Sequence, residues 1–282
     1  TGVYGVPDGC TEEKVPFTVI GYGKLGSREL GFGSDLDMVF LSAALPDSAR
    51  TSGPRQIYAP QYFARIGQRL VHIITTRTPA GRLYEVDMRL RPSGNAGPLV
   101  ATMRQMARYQ RERAWTWEHQ ALVRARVVAG DRELAGEFSA LRREILTRER
   151  DQQQLMQDVV EMRDKMRAAK MPGGKDKFDL KQGYGGIVDI EFMVQYMVLR
   201  WAHDYPELAE HTETDVLLDA LMELDLLTAD DHRLLTEAFS NWLEKSYQLK
   251  LNDREAVIAA DQDRAMSEQV VDTWNTMFAR ER

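Results

Sequence analysis

Backbone breakers crowd into the front of this chain. Fourteen of its 20 glycines and eight of its 10 prolines precede residue 131, and only Pro172 and Pro206 follow. A stretch with so few interruptions and long amphipathic runs is confined to helix. The front mixes short apolar runs with glycine-rich turns, the pattern of an α+β domain. Charge divides at the same place: residues 1–130 carry 17 Lys+Arg against 11 Asp+Glu, a net of +6, and residues 131–282 carry 20 against 32, a net of −12. For 282 residues, two domains of roughly 150 are expected. The cut belongs between Gly130 and Arg150, taken as 1–140 and 141–282.

The hydrophobic share of 43% and the charged share of 28% suit a soluble globular protein. No run approaches the ~18 apolar residues of a membrane span, so no membrane association is expected. Thr1 to Cys10 are neither basic nor apolar, unlike a secretory signal. The lone Cys10 cannot form an internal disulfide, which fits a cytoplasmic protein. With no initiator Met, Thr1 is expected to be the cut edge of a longer protein.

Periodicity sketches the elements. Val15 to Ile20 and Leu36 to Leu41 read as strands. Gln56 to Thr76 reads as a helix burying Tyr62, Ile66, Leu70, Ile73 and Ile74. Leu83 to Leu90 alternates strictly, with Tyr84, Val86, Met88 and Leu90 on one face and Glu85, Asp87 and Arg89 on the other. Beyond residue 131, helices are expected over 132–147, 155–170, 187–203, 214–227, 230–251 and 263–280, with a break at Pro172 to Gly174. Ile190, Met193, Val194, Met197 and Trp201 form the buried stripe of the third.

The densest chemistry runs from Gly21 to Ser27 and on through Ser34, Asp35, Leu36 and Asp37. Gly21, Gly23 and Gly26 match the dinucleotide fingerprint, but Gly31 and Gly33 interrupt the long helix that fingerprint requires. Nor does a Lys-Ser/Thr pair follow, as a P-loop demands. Asp-x-Asp on a strand is more informative, because residues two apart share a face. Two such carboxylates repel unless neutralised. Mg²⁺, bound by one or two carboxylates plus phosphate oxygens, would neutralise them, while glycine N–H groups approach the phosphates. Asp87, on the polar face of the alternating strand, is the candidate third carboxylate of a two-metal site. Its competing use is a salt bridge to Arg89 or Arg91. Lys24, Arg89 and Arg91 either meet phosphates or pair with nearby carboxylates.

A glycine-Ser turn, Asp-x-Asp on a strand and a later strand carboxylate resemble the polymerase-β-type nucleotidyltransferases. The runs Gly21 to Asp37, Tyr84 to Pro92, Trp117 to Leu122, Phe178 to Lys181 and Gly185 to Phe192 are similar, more closely, to the glutamine synthetase adenylyltransferase family. The resemblance implies a small mixed sheet with flanking helices, followed by an all-α bundle. Members of that family have two similar nucleotidyltransferase halves, one removing AMP from glutamine synthetase and the other attaching it. Gly21 to Lys24, Ser34 to Asp37 and the Gly94 to Leu99 loop resemble the C-terminal, attaching half. Ser27 stands where the family often has glycine. The resemblance makes Asp35, Asp37 and Asp87 the catalytic, metal-binding triad, with Gly26, Ser27 and the neighbouring Ser34 on the nucleotide. It further implies ATP as substrate, Mg²⁺ (or Mn²⁺ in its place), glutamine synthetase as protein substrate, and the PII signal protein as a regulator of the full-length enzyme. The alternatives are the AMP-removing half, a same-fold enzyme acting on another substrate, and a sensor domain without chemistry.

Arg104, Arg108, Arg111, Arg113, Arg124 and Arg126 surround Trp115 and Trp117 like a nucleic-acid patch. At helical spacing, core tryptophans and a solvated arginine face are the simpler expectation, and the −12 second half disfavours a polyanion, so no nucleic-acid partner is expected. Ser93 to Leu99 is either a flexible loop that closes over nucleotide or an ordinary connection. Asp189 and Glu191 suit the first turn of a helix through its dipole.

Overall fold

The computed structural model describes residues 2–31, 33–46, 48–79, 81–170 and 177–279, and the break expected at Pro172 to Gly174 lies outside them. In chain order the front elements are β1 (Phe17–Gly21), α1 (Gly23–Gly26), β2 (Leu36–Ser42), α2 (Ala59–Thr75), β3 (Arg77–Thr78), β4 (Gly81–Arg82) and β5 (Val86–Asp87). They are followed by β6 (Val100–Thr102), α3 (Met103–Glu112), α4 (Thr116–Val123), β7 (Arg126–Gly130) and α5 (Arg132–Leu146). The remainder comprises α6 (Gln152–Lys170), β8 (Lys177–Asp179), α7 (Ile187–Trp201), α8 (Thr214–Glu223), α9 (Ala229–Leu251), β9 (Val257–Ala259) and α10 (Arg264–Ala279). The chain divides into two compact units, Thr1–Ala114 with Arg124–Ile145, and Trp115–Val123 with Leu146–Arg282. Among the described residues no helix is long and apolar enough to cross a membrane.

The first unit is built on a mixed sheet in the order β5-β2-β1-β7, with β6 also paired to β2. β1 runs antiparallel to both β2 and β7, while β5 and β6 run parallel to β2. One edge of β2 is therefore shared, β5 taking Leu36–Asp37 and β6 taking Phe40–Ser42. That sharing corrects the expected Leu83 to Leu90 strand, which has room for only the two-residue ladder of β5. Its alternation nevertheless survives, with Tyr84, Val86 and Met88 against the core and Glu85 and Arg89 exposed. Leu36, Met38 and Phe40 enter the core beside Phe17, as period two requires.

Pro60 in the first turn of α2 suits a helix start, and Tyr62, Ile66, Leu70 and Ile74 pack on the core at every fourth residue. Ile73 was expected among them but is 57% exposed. One residue from Ile74, it is turned about 100° around the axis. At α3, Thr102 and Gln105 form a reciprocal capping box, their side chains bonding each other's backbone N–H groups at 3.2 and 2.9 Å.

The second unit packs α4, α6, α8, α9 and α10 against α7. Nearly all of α7 is buried, so the expected stripe understates it: Asp189 and Gln195 are buried along with the apolar residues. The unit is not wholly helical, because β8 and β9 pair antiparallel from Lys177↔Ala259 to Asp179↔Val257. Beside that ladder, Phe178 meets the buried Trp242 edge-on at 5.7 Å. Trp115 and Trp117 depart from the core role expected of them, and Trp115 is 71% exposed. It precedes α4, where its backbone N–H donates to Glu118 at 2.9 Å, while Glu118, Gln120, Leu122 and Val123 turn inward.

Candidate active site

Asp37 and Asp87 face each other. The parallel ladder of β2 and β5 pairs Leu36 with Val86 and Asp37 with Asp87, so both carboxylates leave the same face of the sheet on adjacent strands. Asp35 lies two residues before Asp37, at the mouth of β2, and is exposed where Asp37 is half-buried. The register thus brings Asp37 and Asp87 together, with Asp35 just outside the strand.

The charge of Asp87 is balanced by Arg89. The Asp87 carboxylate accepts the Arg89 Nε at 2.8 Å, accepts its Nη2 as well, and takes the Arg89 backbone N–H at 2.8 Å. These bonds, the side-chain ones foremost, hold Asp87 below the usual carboxylate range against the opposing effect of partial burial. Arg89 is raised in turn, first by Asp87 and with smaller contributions from Asp37 and Asp35. The salt-bridge use of Asp87 is therefore the one present, and a guanidinium lies in the field of all three acids. Among the described residues no three His, Cys, Asp or Glu side chains are drawn into a metal-holding cluster.

The glycine run is not an open loop. It folds into α1, a single turn entered through the Tyr22 N–H, which donates to the Asp37 carbonyl at 2.9 Å. Gly23 has φ +50°, and a Cβ there would lie 2.6 Å from Asp37 Oδ2. Glycine is required because the turn's first residue rests directly on a catalytic candidate. At the far end, a Cβ on Gly26 would overlap the Arg124 carbonyl.

The expected phosphate contacts are placed unevenly. Ser27 is fully buried, its hydroxyl donating to the Gly23 carbonyl at 3.0 Å and accepting from Arg124 at 2.8 Å. Ser34 closes the turn before Asp35, its hydroxyl accepting the Gly31 N–H at 3.3 Å. Arg91 bonds the carbonyls of Met88, Gly97 and Asn95, tying the Ser93 to Leu99 loop to the end of the β5 segment. Lys24 is half-buried in α1, and the exposed Arg89 lies against Asp87.

Two features escaped the sequence. Arg124 and Arg126, expected on a solvated helical face, instead flank the start of β7 and reach α1; Arg104, Arg108, Arg111 and Arg113 are exposed as expected. No periodicity marks the first pair, because Arg124 stands in the turn between α4 and β7 and Arg126 opens the strand. In the second unit, Asp189 stands in the first turn of α7 as expected, but its burial was not foreseen. It is fully buried against Arg163 and Arg167.

A mixed sheet carrying aspartates on neighbouring strands beside a glycine turn is consistent with a nucleotidyltransferase domain. Comparison with known proteins narrows the class. The family model for glutamate-ammonia ligase adenylyltransferase matches residues 3–141, and that for GlnD PII-uridylyltransferase matches residues 153–268. The chain is 46% identical over 269 residues to the bifunctional glutamine synthetase adenylyltransferase/adenylyl-removing enzyme of Nitrosococcus oceani, covering 95% of this chain and 28% of that protein. Its identity to the protein of the same name from Idiomarina loihiensis is 46% over 278 residues, 99% of this chain and 29% of the relative. For that from Shewanella loihica it is 48% over 252 residues, 88% and 26% respectively. This chain belongs to the glutamine synthetase adenylyltransferase family. It spans between a quarter and a third of the length of these relatives.

Proposed function

We propose that this chain transfers AMP from ATP to a tyrosine hydroxyl of glutamine synthetase, releasing pyrophosphate, as the attaching half of a bifunctional enzyme. The observation that carries the reading is the Asp37–Asp87 register on adjacent strands, with Asp35 beside it. The phenolic oxygen attacks the α-phosphorus, the bond to the bridging oxygen breaks, and pyrophosphate leaves with that electron pair. A phenol of pKa ~10 is a weak nucleophile at neutral pH until its proton is drawn off.

Asp35, Asp37 and Asp87 are the hard oxygen donors that Mg²⁺ or Mn²⁺ prefers, and the guanidinium among them marks the place where a cation is favoured. Asp37 and Asp87, in register on adjacent strands, would hold the ion, with Asp35 close by along the chain. When bound, it supplies charge neutralisation of the triphosphate and a lowered phenol pKa. For its part, the chain supplies an ionised carboxylate at Asp87, held below its usual range by Arg89. Arg89, freed from Asp87, and Lys24 would be the cations that meet phosphate oxygens. The match of residues 153–268 to a PII-uridylyltransferase model supports a regulatory role for the helical unit in response to PII. ATP and glutamine synthetase place the reaction in the cytoplasm.

The test is incubation of residues 1–282 with α-labelled ATP, Mg²⁺ and unmodified glutamine synthetase, beside adenylylated glutamine synthetase with phosphate. Label on a tyrosine of the unmodified protein is the expected result. Release of AMP from the modified protein, without transfer, would assign the opposite half. A companion expectation concerns Gly23→Ala, whose new methyl displaces the Asp37 carboxylate. Transfer should fall by about tenfold or more, in line with misplacement of a reacting group by a fraction of an ångström. The same variant's melting temperature should drop by only a few degrees, roughly the effect of one strained residue. Transfer equal to the parent's would count against Asp37 as a reacting group.

A further inference from the structure

We propose that Arg124 and Arg126 are positioning residues that clamp α1 against the acid-bearing strands, an inference that rests on the nucleotidyltransferase reading of the site. A one-turn helix cannot satisfy its own last carbonyls. Arg126 does so, donating from Nε to the Gly26 carbonyl at 2.8 Å and from Nη2 to the Leu25 carbonyl at 3.1 Å. Arg124 donates from Nη2 to the Ser27 hydroxyl at 2.8 Å and forms an ion pair with Glu29. The Ser27 hydroxyl passes the connection on to the Gly23 carbonyl at 3.0 Å. Gly23 in turn rests against the Asp37 carboxylate. A continuous chain of contacts therefore runs from Arg124 through Ser27 and Gly23 to Asp37.

The strand register makes the clamp rigid. β7 lies antiparallel beside β1 with Arg126 opposite Gly21, the residue from which the chain turns into α1. Arg126 opens β7 and Arg124 stands in the turn just before it, and both side chains reach the turn of α1 and the serine that follows it. Arg124 is buried, so its charge is committed to Ser27 and Glu29 rather than to solvent. Charge-assisted bonds of this kind are the strong class of hydrogen bond. They hold the C-terminal end of α1 while Asp37 meets its first residue, which fixes the tilt of the turn over the site. Loss of the clamp should therefore loosen nucleotide binding before it unfolds the sheet.

Arg126→Gln and Arg126→Lys in residues 1–282 test the clamp through two measurements. The first is hydrogen exchange at the Gly26 and Ser27 amides, bonded to the Tyr22 and Gly23 carbonyls, against the Val39 amide in the sheet. The second is the equilibrium affinity for Mg·ATP. For Arg126→Gln, exchange at Gly26 and Ser27 should quicken about tenfold with Val39 unchanged, and Mg·ATP should bind about tenfold more weakly. Arg126→Lys, which keeps the charge and one bond, should recover part of both. Unchanged exchange at Gly26 and Ser27, a rise that Val39 matches, or unaltered affinity despite local loosening would each overturn the clamp. A parent chain that fails to bind Mg·ATP would overturn the reading of the site instead, and the exchange pattern alone would then decide the clamp.

Discussion

Asp37→Asn is expected to reduce AMP transfer by on the order of 10³-fold while leaving the fold in place, and Asp35→Asn should do the same. The substitution is close to isosteric, so the packing of β2 against β1 survives it. Its effect is electrostatic. Asp37 and Asp87 stand opposite each other in the ladder, and the site's function depends on a concentration of negative charge that draws a dication and, with it, a triphosphate. Removing one charge at Asp37 leaves Arg89 to neutralise what remains. The check is label transfer at saturating Mg·ATP, with circular dichroism to confirm the fold. Turnover within tenfold of the parent in either variant would sink the acidic site. Asp87→Asn carries a second signature, because it releases Arg89, whose pKa is raised chiefly by that carboxylate.

What the sequence disclosed and what it concealed follow from distance along the chain. The inward facing of Leu36, Met38 and Phe40 is a local consequence of strand geometry and was readable from spacing alone. Asp87 was singled out from its alternating strand as a third carboxylate, but the register that sets it opposite Asp37 is visible only in the pairing. Arg124 and Arg126 were misread because a helix-like run of arginines continues through them, while the chain changes from α4 to β7 between Val123 and Arg126. Trp115 was assigned to the core by its spacing, yet it stands just outside the helix that the spacing described. The β8–β9 ladder joins segments some eighty residues apart, a separation that no periodicity spans. Asp189 presents the same difficulty. Its partner Arg163 lies 26 residues earlier, and nothing local marks either residue as buried.

That buried pair leads to the largest expected effect on stability. Arg163 and Asp189 have fully buried side chains, and the Asp189 carboxylate also receives Arg167 Nη2 at 2.6 Å and the Gly185 N–H at 2.7 Å. Arg163 spends its remaining donors on the Gln182 side-chain and backbone oxygens, both at 3.0 Å. Burial pushes the Arg163 guanidinium below its usual range, and Asp189 is the chief opposing influence. Arg163→Met should therefore cost about 3–5 kcal/mol, the range for stranding one member of a buried pair. In a unit of this size that is a fall of roughly 10 °C in melting temperature. Part of the carboxylate's charge stays balanced by Arg167, which also stacks on Tyr184 at 4.3 Å, so the loss should be smaller than for Asp189→Leu. Asp189→Leu strands two buried guanidinium groups, and the Gly185 N–H loses its acceptor. Combining Arg163→Met with Asp189→Leu should recover part of the stability, because an apolar pair of similar volume carries no desolvation penalty. A melting temperature within two degrees of the parent for Arg163→Met would mean that Arg167 alone holds Asp189, and that the network is a redundant anchor for the turn entering α7.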